Sequence, residues 1–217
     1  MTQVKICGLM RPEDVDAAVA AGADLVGFIL VEGTPRYLEP DRARALAARV
    51  PDRVRTVAVV AGGVGSGMAP LDGFDLVQTY DTPAQFRDGR GSDPTPARLT
   101  NGGGLGRGRD EASRFRDLIV ASRGGSPEDV PDGVPILLDL PFGSRPDGDE
   151  LRAHWARAAE VRQPVILAGS LDPENVAEAV LAARPWGVDT ARGVETAPGV
   201  KDHDLIRAFI RNAKETA

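Results

Sequence analysis

Pro164-Val165-Ile166-Leu167-Ala168-Gly169-Ser170-Leu171-Asp172-Pro173-Glu174-Asn175-Val176 opens a stretch that ends at Gly187-Val188-Asp189-Thr190 and decides the architecture. Val165 to Ala168 is a short unbroken apolar run, as expected of a strand buried on both faces, whereas a half-solvated antiparallel strand would alternate. Val176, Ala179, Val180 and Ala183 then recur at the i, i+3, i+4, i+7 spacing of an amphipathic helix. Asp172-Pro173-Glu174 just before them supplies a cap, a proline and a first-turn carboxylate. Gly187 to Thr190 reads as the next strand. The unit is therefore strand, helix, parallel strand.

The same unit recurs outward from that stretch. Apolar runs lie at Val4 to Cys7, Leu25 to Leu30, Val54 to Val60, Leu76 to Gln78 and Ile136 to Leu140. Helical spacing appears in Val15/Ala18/Val19/Gly22, Ala43/Leu46/Ala47/Val50 and Ile206/Phe209/Ile210/Ala213, each preceded by punctuation: Pro12-Glu13-Asp14, Pro40-Asp41 and Asp202. Alternating strands and helices make either a barrel or a doubly wound sheet. Seven strands are read directly, and a weak eighth is expected around Arg98 to Thr100, between glycines, prolines and arginines. The count favours an α/β fold, a (βα)8 TIM barrel in a single domain over residues 1–217. Such barrels typically take about 250 residues, so the loops must be short. After Val60 the glycine-rich Ala61 to Gly67 leaves only Met68 to Leu71 for a helix. Asp88 to Asp110, with seven glycines and four arginines, reads as a mobile loop, either a lid or a solvated connection.

Composition narrows the function classes. A net charge of -6 offers no basic footprint for nucleic acid or an anionic membrane, so any phosphate recognition must be local. No run approaches the roughly 18 apolar residues of a membrane span, and Met1 to Lys5 lacks a signal-peptide pattern, so a cytoplasmic protein is expected. One cysteine and two histidines argue against a disulfide and a Cys/His zinc site. Chemistry without a metal is the expectation.

Barrels carry their chemistry at the C-terminal ends of the strands. Cys7 ends the first strand and is followed by Gly8; it reads either as a small buried hydrophobe or as a base acting through its thiolate. Asp139, in Leu137-Leu138-Asp139-Leu140, ends another strand, where a carboxylate must be paired or held for proton transfer. Two consecutive βα turns, Ala168-Gly169-Ser170-Leu171 and Asp189-Thr190-Ala191-Arg192-Gly193-Val194-Glu195, look like phosphate grips. Glycine admits an anion close to the backbone, and the turns after strands seven and eight form the usual cradle of this architecture. Arg192 adds a charge-assisted contact, although either turn alone is also ordinary turn chemistry. Arg36, in Gly33-Thr34-Pro35-Arg36-Tyr37, reads either as an ordinary surface arginine or as one that holds a carboxylate bidentately from a proline-rigidified loop. His154 and Trp155 in the sixth helix, and His203 at the start of the last, read as packing or surface groups.

In order along the chain, these residues resemble phosphoribosylanthranilate isomerases. The likeness is carried by Val4-Lys5-Ile6-Cys7-Gly8-Leu9, Glu13-Asp14, Gly22-Ala23-Asp24-Leu25-Val26-Gly27-Phe28, Pro35-Arg36-Tyr37 and Leu137-Leu138-Asp139. It continues through Pro164 to Gly169, Leu171 to Val176 and Gly193-Val194-Glu195-Thr196-Ala197-Pro198-Gly199-Val200-Lys201-Asp202. The resemblance implies an Amadori rearrangement of N-(5-phosphoribosyl)anthranilate, in tryptophan biosynthesis, with no cofactor and no metal. It assigns Asp139 as general acid, Cys7 as general base, Arg36 to the anthranilate carboxylate and Asp189 to the sugar. Gly169, Ser170, Arg192 and Gly193 take the phosphate, and the protein is expected to act as a monomer or homodimer.

The chain departs from the family at the pocket wall. Gln78-Thr79-Tyr80-Asp81 stands where Gln-Leu-His-Gly is usual, and Pro141-Phe142-Gly143-Ser144-Arg145-Pro146 replaces a Gly-Gly-Thr-Gly loop. Ser170 replaces a glycine, and Ala191-Arg192 replaces a pair of serines. These changes bear on affinity and substrate range more than on reaction type. Two other readings stay open: an isomerase of another phosphorylated aminosugar, and a non-catalytic paralogue that binds a phosphorylated ligand.

Overall fold

The computed structural model describes residues 1–61, 71, 73–80, 118–123, 130, 133–141 and 143–216. Eight strands, β1 (Gln3–Ile6), β2 (Leu25–Ile29), β3 (Arg55–Val60), β4 (Leu76–Thr79), β5 (Leu118–Arg123), β6 (Ile136–Asp139), β7 (Val165–Leu167) and β8 (Gly187–Thr190), pair in chain order. All pairs are parallel, and β8 returns to β1 with Lys5 opposite Asp189 and Ile6 opposite Thr190, closing a (βα)8 barrel. Helices α1 (Pro12–Ala21), α2 (Pro40–Ala47), α3 (Gly148–Ala159), α4 (Val176–Ala183) and α5 (His203–Glu215) are those of the described residues.

Helix starts follow the local chemistry. Pro12 opens α1 with Glu13 and Asp14 in its first turn, and Gly22 ends it in the left-handed conformation. The Asp202 carboxylate caps α5 by accepting from the N–H groups of Asp204 and Leu205. A reciprocal box between Asp147 and Glu150 starts α3. Asp172 accepts from Glu174 and Asn175 N–H in the turn that leads into α4.

Alternation along the strands builds two cores. Val4, Ile6, Val26, Phe28, Leu138 and Val188 face outward and pack with Val15, Ala18, Val180, Phe209 and Ile210 of the helices. Cys7, Leu25, Val57, Leu76, Ile119, Leu137 and Ile166 fill the interior. That layer closes the barrel beneath its C-terminal mouth, so the groups at the strand ends stand above a packed floor.

One strand assignment needs correction. The barrel's fifth strand is Leu118–Arg123, paired to β4 through Val77 and Leu118 and to β6 through Arg123 and Asp139, rather than Arg98 to Thr100. Leu118-Ile119-Val120-Ala121 is the apolar run a buried parallel strand needs, whereas Arg98-Leu99-Thr100 has a single apolar residue. Arg98 to Thr100, the Asp88 to Asp110 loop and all but Leu71 of the short helix expected at Met68 to Leu71 lie outside the described residues. Beyond β8 a 3-10 turn (Arg192–Val194) leads to a small antiparallel ribbon, β9 (Glu195–Ala197) with β10 (Val200–Lys201), which the sequence reading did not contain. No helix among the described residues is long and apolar enough to cross a membrane.

Candidate active site

Lys5 and Cys7 are two residues apart at the end of β1, so both side chains point into the barrel. Lys5 is fully buried, and its Nζ lies 2.8 Å from Asp189 Oδ1 on the paired strand. Burial works against the ammonium, but the Asp189 carboxylate outweighs it and keeps Lys5 protonated well beyond neutral pH. Cys7 lies one residue past β1, though its N–H still donates to Thr190 O at 2.9 Å. Burial pushes its thiol up, Lys5 and Lys201 pull it back, and Asp189 pushes with the burial. Gly27 makes room for the thiol, because a Cβ there would sit 2.8 Å from Cys7 Sγ.

Asp139 ends β6. Its Oδ1 accepts from Leu140 N–H at 2.8 Å, and its Oδ2 lies 3.8 Å from Arg123 Nε. Burial raises the Asp139 carboxyl and the Asp189 charge adds to this, against the pull of Arg123, the Leu140 N–H and Lys5. The Arg123 guanidinium covers the ring of Tyr80 at 3.9 Å. Burial, helped by Asp139 and Cys7, pushes the Tyr80 phenol up to about 12. Below it, Gln78 donates to Tyr80 Oη at 3.4 Å, while Gln78 Oε1 is buried with no partner among the described residues.

Arg36 does hold a carboxylate bidentately, and the carboxylate is internal. Its Nε and Nη2 donate to Glu195 Oε1 and Oε2 at 2.8 and 2.5 Å. Lys201 Nζ donates to the same Oε1 at 2.8 Å and to Ala191 O at 2.8 Å. Burial alone would raise the Glu195 carboxyl, but the bonds from Arg36 and Lys201 hold it below the usual carboxylate range. Arg36 lies directly over the backbone after Cys7: a Cβ on Gly8 would come within 2.6 Å of Arg36 Cδ.

The two turns expected to grip phosphate are locked side by side. Gly169 and Ser170 both have positive φ, 90° and 53°, and Asn175 Nδ2 donates to Ser170 O at 2.9 Å. Thr190 Oγ1 donates to Leu171 O at 2.7 Å. A Cβ on Gly193 would be 2.0 Å from that same carbonyl, so only glycine fits where the second turn crosses the first. Arg192 opens the 3-10 turn with an exposed side chain. His154 is packing, as read from sequence: it is buried on α3 with Nε2 2.9 Å from Ala168 O. His203 Nε2 lies 2.9 Å from the buried Asp14 Oδ1, tying α5 to α1.

Residues 130–212 match the family model described as N-(5'phosphoribosyl)anthranilate (PRA) isomerase. Over 217 residues the chain is 40% identical to the N-(5'-phosphoribosyl)anthranilate isomerase of Chromohalobacter salexigens, covering 99% of this chain and 95% of that one. The chain belongs to the phosphoribosylanthranilate isomerase family. Among solved structures it is similar to the phosphoribosyl anthranilate isomerase of Thermotoga maritima, with a TM-score of 0.74 and 29% identity over 99% of this chain and 100% of that one. It is also similar to a phosphoribosyl anthranilate isomerase solved in complex with reduced 1-(o-carboxyphenylamino)-1-deoxyribulose 5-phosphate, with a TM-score of 0.70 and 30% identity over 99% and 100% of the two chains.

Within this phosphoribosylanthranilate isomerase barrel, Lys5, Gly27, Tyr80, Arg123, Glu195 and Lys201 surround the expected site residues, though none of them had an individual role in the sequence reading. Lys5 carried a signal, a lysine inside an apolar strand two places before Cys7. Glu195 and Lys201 sat inside the distinctive C-terminal block, but only the fold reveals what they touch.

Proposed function

We infer that the protein converts N-(5-phosphoribosyl)anthranilate to 1-(2-carboxyphenylamino)-1-deoxyribulose 5-phosphate, the Amadori rearrangement of tryptophan biosynthesis. One observation carries the reading. Cys7 and Asp139, at the ends of strands on different sides of the mouth, both feel the charges of the Lys5–Asp189 ion pair, 2.8 Å apart, and both help raise the Tyr80 phenol. An acid and a base that share neighbours above a closed barrel floor suit a reaction needing both on one sugar.

The Asp139 carboxyl, which burial makes harder to ionise, gives its proton to the ribose ring oxygen. The C1–O bond breaks and the nitrogen lone pair forms a C1=N iminium. The C2 proton is then acidic, and the Cys7 thiolate removes it; the C2–H electrons form a C1=C2 enolamine and neutralise the nitrogen. Moving the C2 hydroxyl proton to C1 gives the ketone. Lys5 offsets the desolvation that opposes the thiolate. Arg36 receives the anthranilate carboxylate, Asp189 meets the sugar, and Gly169, Ser170, Arg192 and Gly193 hold the phosphate. The chain works as one domain, without a cofactor, in the cytoplasm, as a monomer or homodimer.

The test is growth of a tryptophan auxotroph lacking this isomerase, together with loss of substrate fluorescence in vitro. Wild-type protein restores growth, and Cys7→Ala and Asp139→Ala each reduce turnover by about 10²–10⁴-fold or more. Full turnover in either variant removes its assigned role, and failure of wild type in both assays removes the substrate.

A further inference from the structure

Arg36 uses one side of its guanidinium on Glu195. The occupied side is Nε with Nη2, and Nη1 makes no bond to any described residue. A guanidinium offers five N–H donors in two usable forks, so the end fork of Nη1 and Nη2 is left for a second planar acceptor. Glu195 is not free to move aside. Its side chain is 5% exposed, Lys201 beside it is 0% exposed, and Arg36 retains 14%. Gly199 N–H adds a third contact to Glu195 Oε1 at 3.3 Å. The ribbon that carries Glu195 is wedged in place as well, since a Cβ on Gly199 would meet Met10 Sδ at 2.4 Å and Pro35 O at 3.6 Å. Displacing Glu195 would leave a buried Lys201 ammonium without its counter-ion.

We propose that Glu195 is a positioning residue for Arg36, fixing the plane and rotation of the guanidinium so that its end fork receives the ring carboxylate of the substrate. This rests on the proposed function, and specifically on Arg36 meeting that carboxylate. Lys201 anchors the array by holding Glu195 to the turn after β8 through Ala191 O. A flexible arginine pays rotamer entropy each time it binds, whereas one clamped by an internal carboxylate is already aligned. The clamp therefore acts on binding of the carboxylated ring and leaves proton transfer at C1 and C2 to Cys7 and Asp139.

Glu195→Asp keeps the charge that Lys201 needs but draws the carboxylate back by about 1.5 Å, one carbon–carbon bond, which breaks the bidentate clamp. Glu195→Gln is the second variant, and circular dichroism with thermal melting checks that each is folded. Two probes are titrated: the reduced 1-(o-carboxyphenylamino)-1-deoxyribulose 5-phosphate and its phenylamino counterpart lacking the carboxylate. The expected result is that Glu195→Asp weakens the carboxylated probe by at least about tenfold, raises KM similarly and leaves kcat within about threefold. The probe without the carboxylate binds as it does to wild type. In an Arg36→Met background the same Glu195 substitution has no further effect, since a residue acting only through Arg36 is fully coupled to it.

Equal losses for the two probes, or an additive loss on top of Arg36→Met, make Glu195 a merely structural residue and overturn the proposal. Unchanged binding of the carboxylated probe overturns it too. The wild-type arm separates the two levels. Failure of wild type to bind the carboxylated probe rejects the substrate reading and this one with it, and wild type that binds both probes equally rejects Arg36 as the carboxylate receiver.

Discussion

Two walls of the barrel mouth differ in how their charges are partnered. On the β8–β1–β2 side, Lys5 is paired with Asp189, and Arg36 and Lys201 share Glu195, so every buried cation has an anion within 2.8 Å. On the β4–β5–β6 side, among the described residues, Asp139 has the Arg123 guanidinium at 3.8 Å, Arg123 stands over the Tyr80 ring at 3.9 Å, and Gln78 Oε1 has no partner. The first wall carries most of the blocks that resemble the family, with Ala191-Arg192 after β8 as its departure. The second holds Tyr80 and the departures around it. A closed ion-pair network tolerates few substitutions, because changing any member strands a buried charge.

The largest effect is expected at the centre of the closed wall. Lys5→Met leaves Asp189 without its counter-ion, and removing one partner of a buried pair costs about 3–5 kcal/mol, which thermal or denaturant unfolding will read. Activity adds a signed prediction. The reactive form has Asp139 protonated and Cys7 ionised. An ordinary thiol titrates far above a carboxyl, and burial pushes Cys7 up further. With the thiol above the carboxyl, the rate rises with pH through the Asp139 ionisation, levels off, and falls through that of Cys7. The height of the plateau drops about tenfold for each unit separating the two. Lys5 pulls the thiol down, so Lys5→Met lowers the plateau and moves the falling limb to higher pH. A variant of ordinary stability with an unmoved falling limb would mean that the two walls do not differ as described.

Arg123 tests the other wall by the same logic with the opposite sign. It pulls the Asp139 carboxyl down, so Arg123→Met raises that ionisation. The rising limb then moves to higher pH and, with Asp139 still below Cys7, the plateau rises. The shift is expected to stay below one pH unit, because Arg123 is partly exposed and 3.8 Å away. A pH–rate profile of kcat/KM decides it. A fall in the plateau would place Arg123 on the substrate instead of on Asp139.

The contrast between the walls also explains what could be read from the chain. Seven strands announce themselves as nearly continuous apolar runs, the pattern of strands buried on both faces. The weak eighth is expected at Arg98 to Thr100, between glycines, prolines and arginines, whereas the strand that closes the sheet is the apolar run from Leu118 to Ala121. The strand-end positions of Cys7 and Asp139 were legible because each closes an apolar run. Glu195 was not, since its meaning depends on Arg36, which lies 159 residues away in sequence. The need for glycine at position 27 was hidden for the same reason, as the thiol it accommodates belongs to another strand.

The smallest expected effect belongs to Gln78, and it bears most directly on whether the second wall is loose. Gln78→Met keeps the length of the side chain and removes an amide whose oxygen is buried without a partner among the described residues. An unpaired buried polar group costs about 1–3 kcal/mol, while its one donated bond, to Tyr80 Oη at 3.4 Å, is long. The gain and the loss nearly cancel, so stability should change by no more than about 1 kcal/mol, in either direction. Thermal unfolding of Gln78→Met beside Lys5→Met therefore compares the walls on one scale. A loss at Gln78 approaching that at Lys5 would mean that the second wall is as tightly partnered as the first. If stability is unchanged but KM rises, the Gln78 carbonyl is a substrate contact.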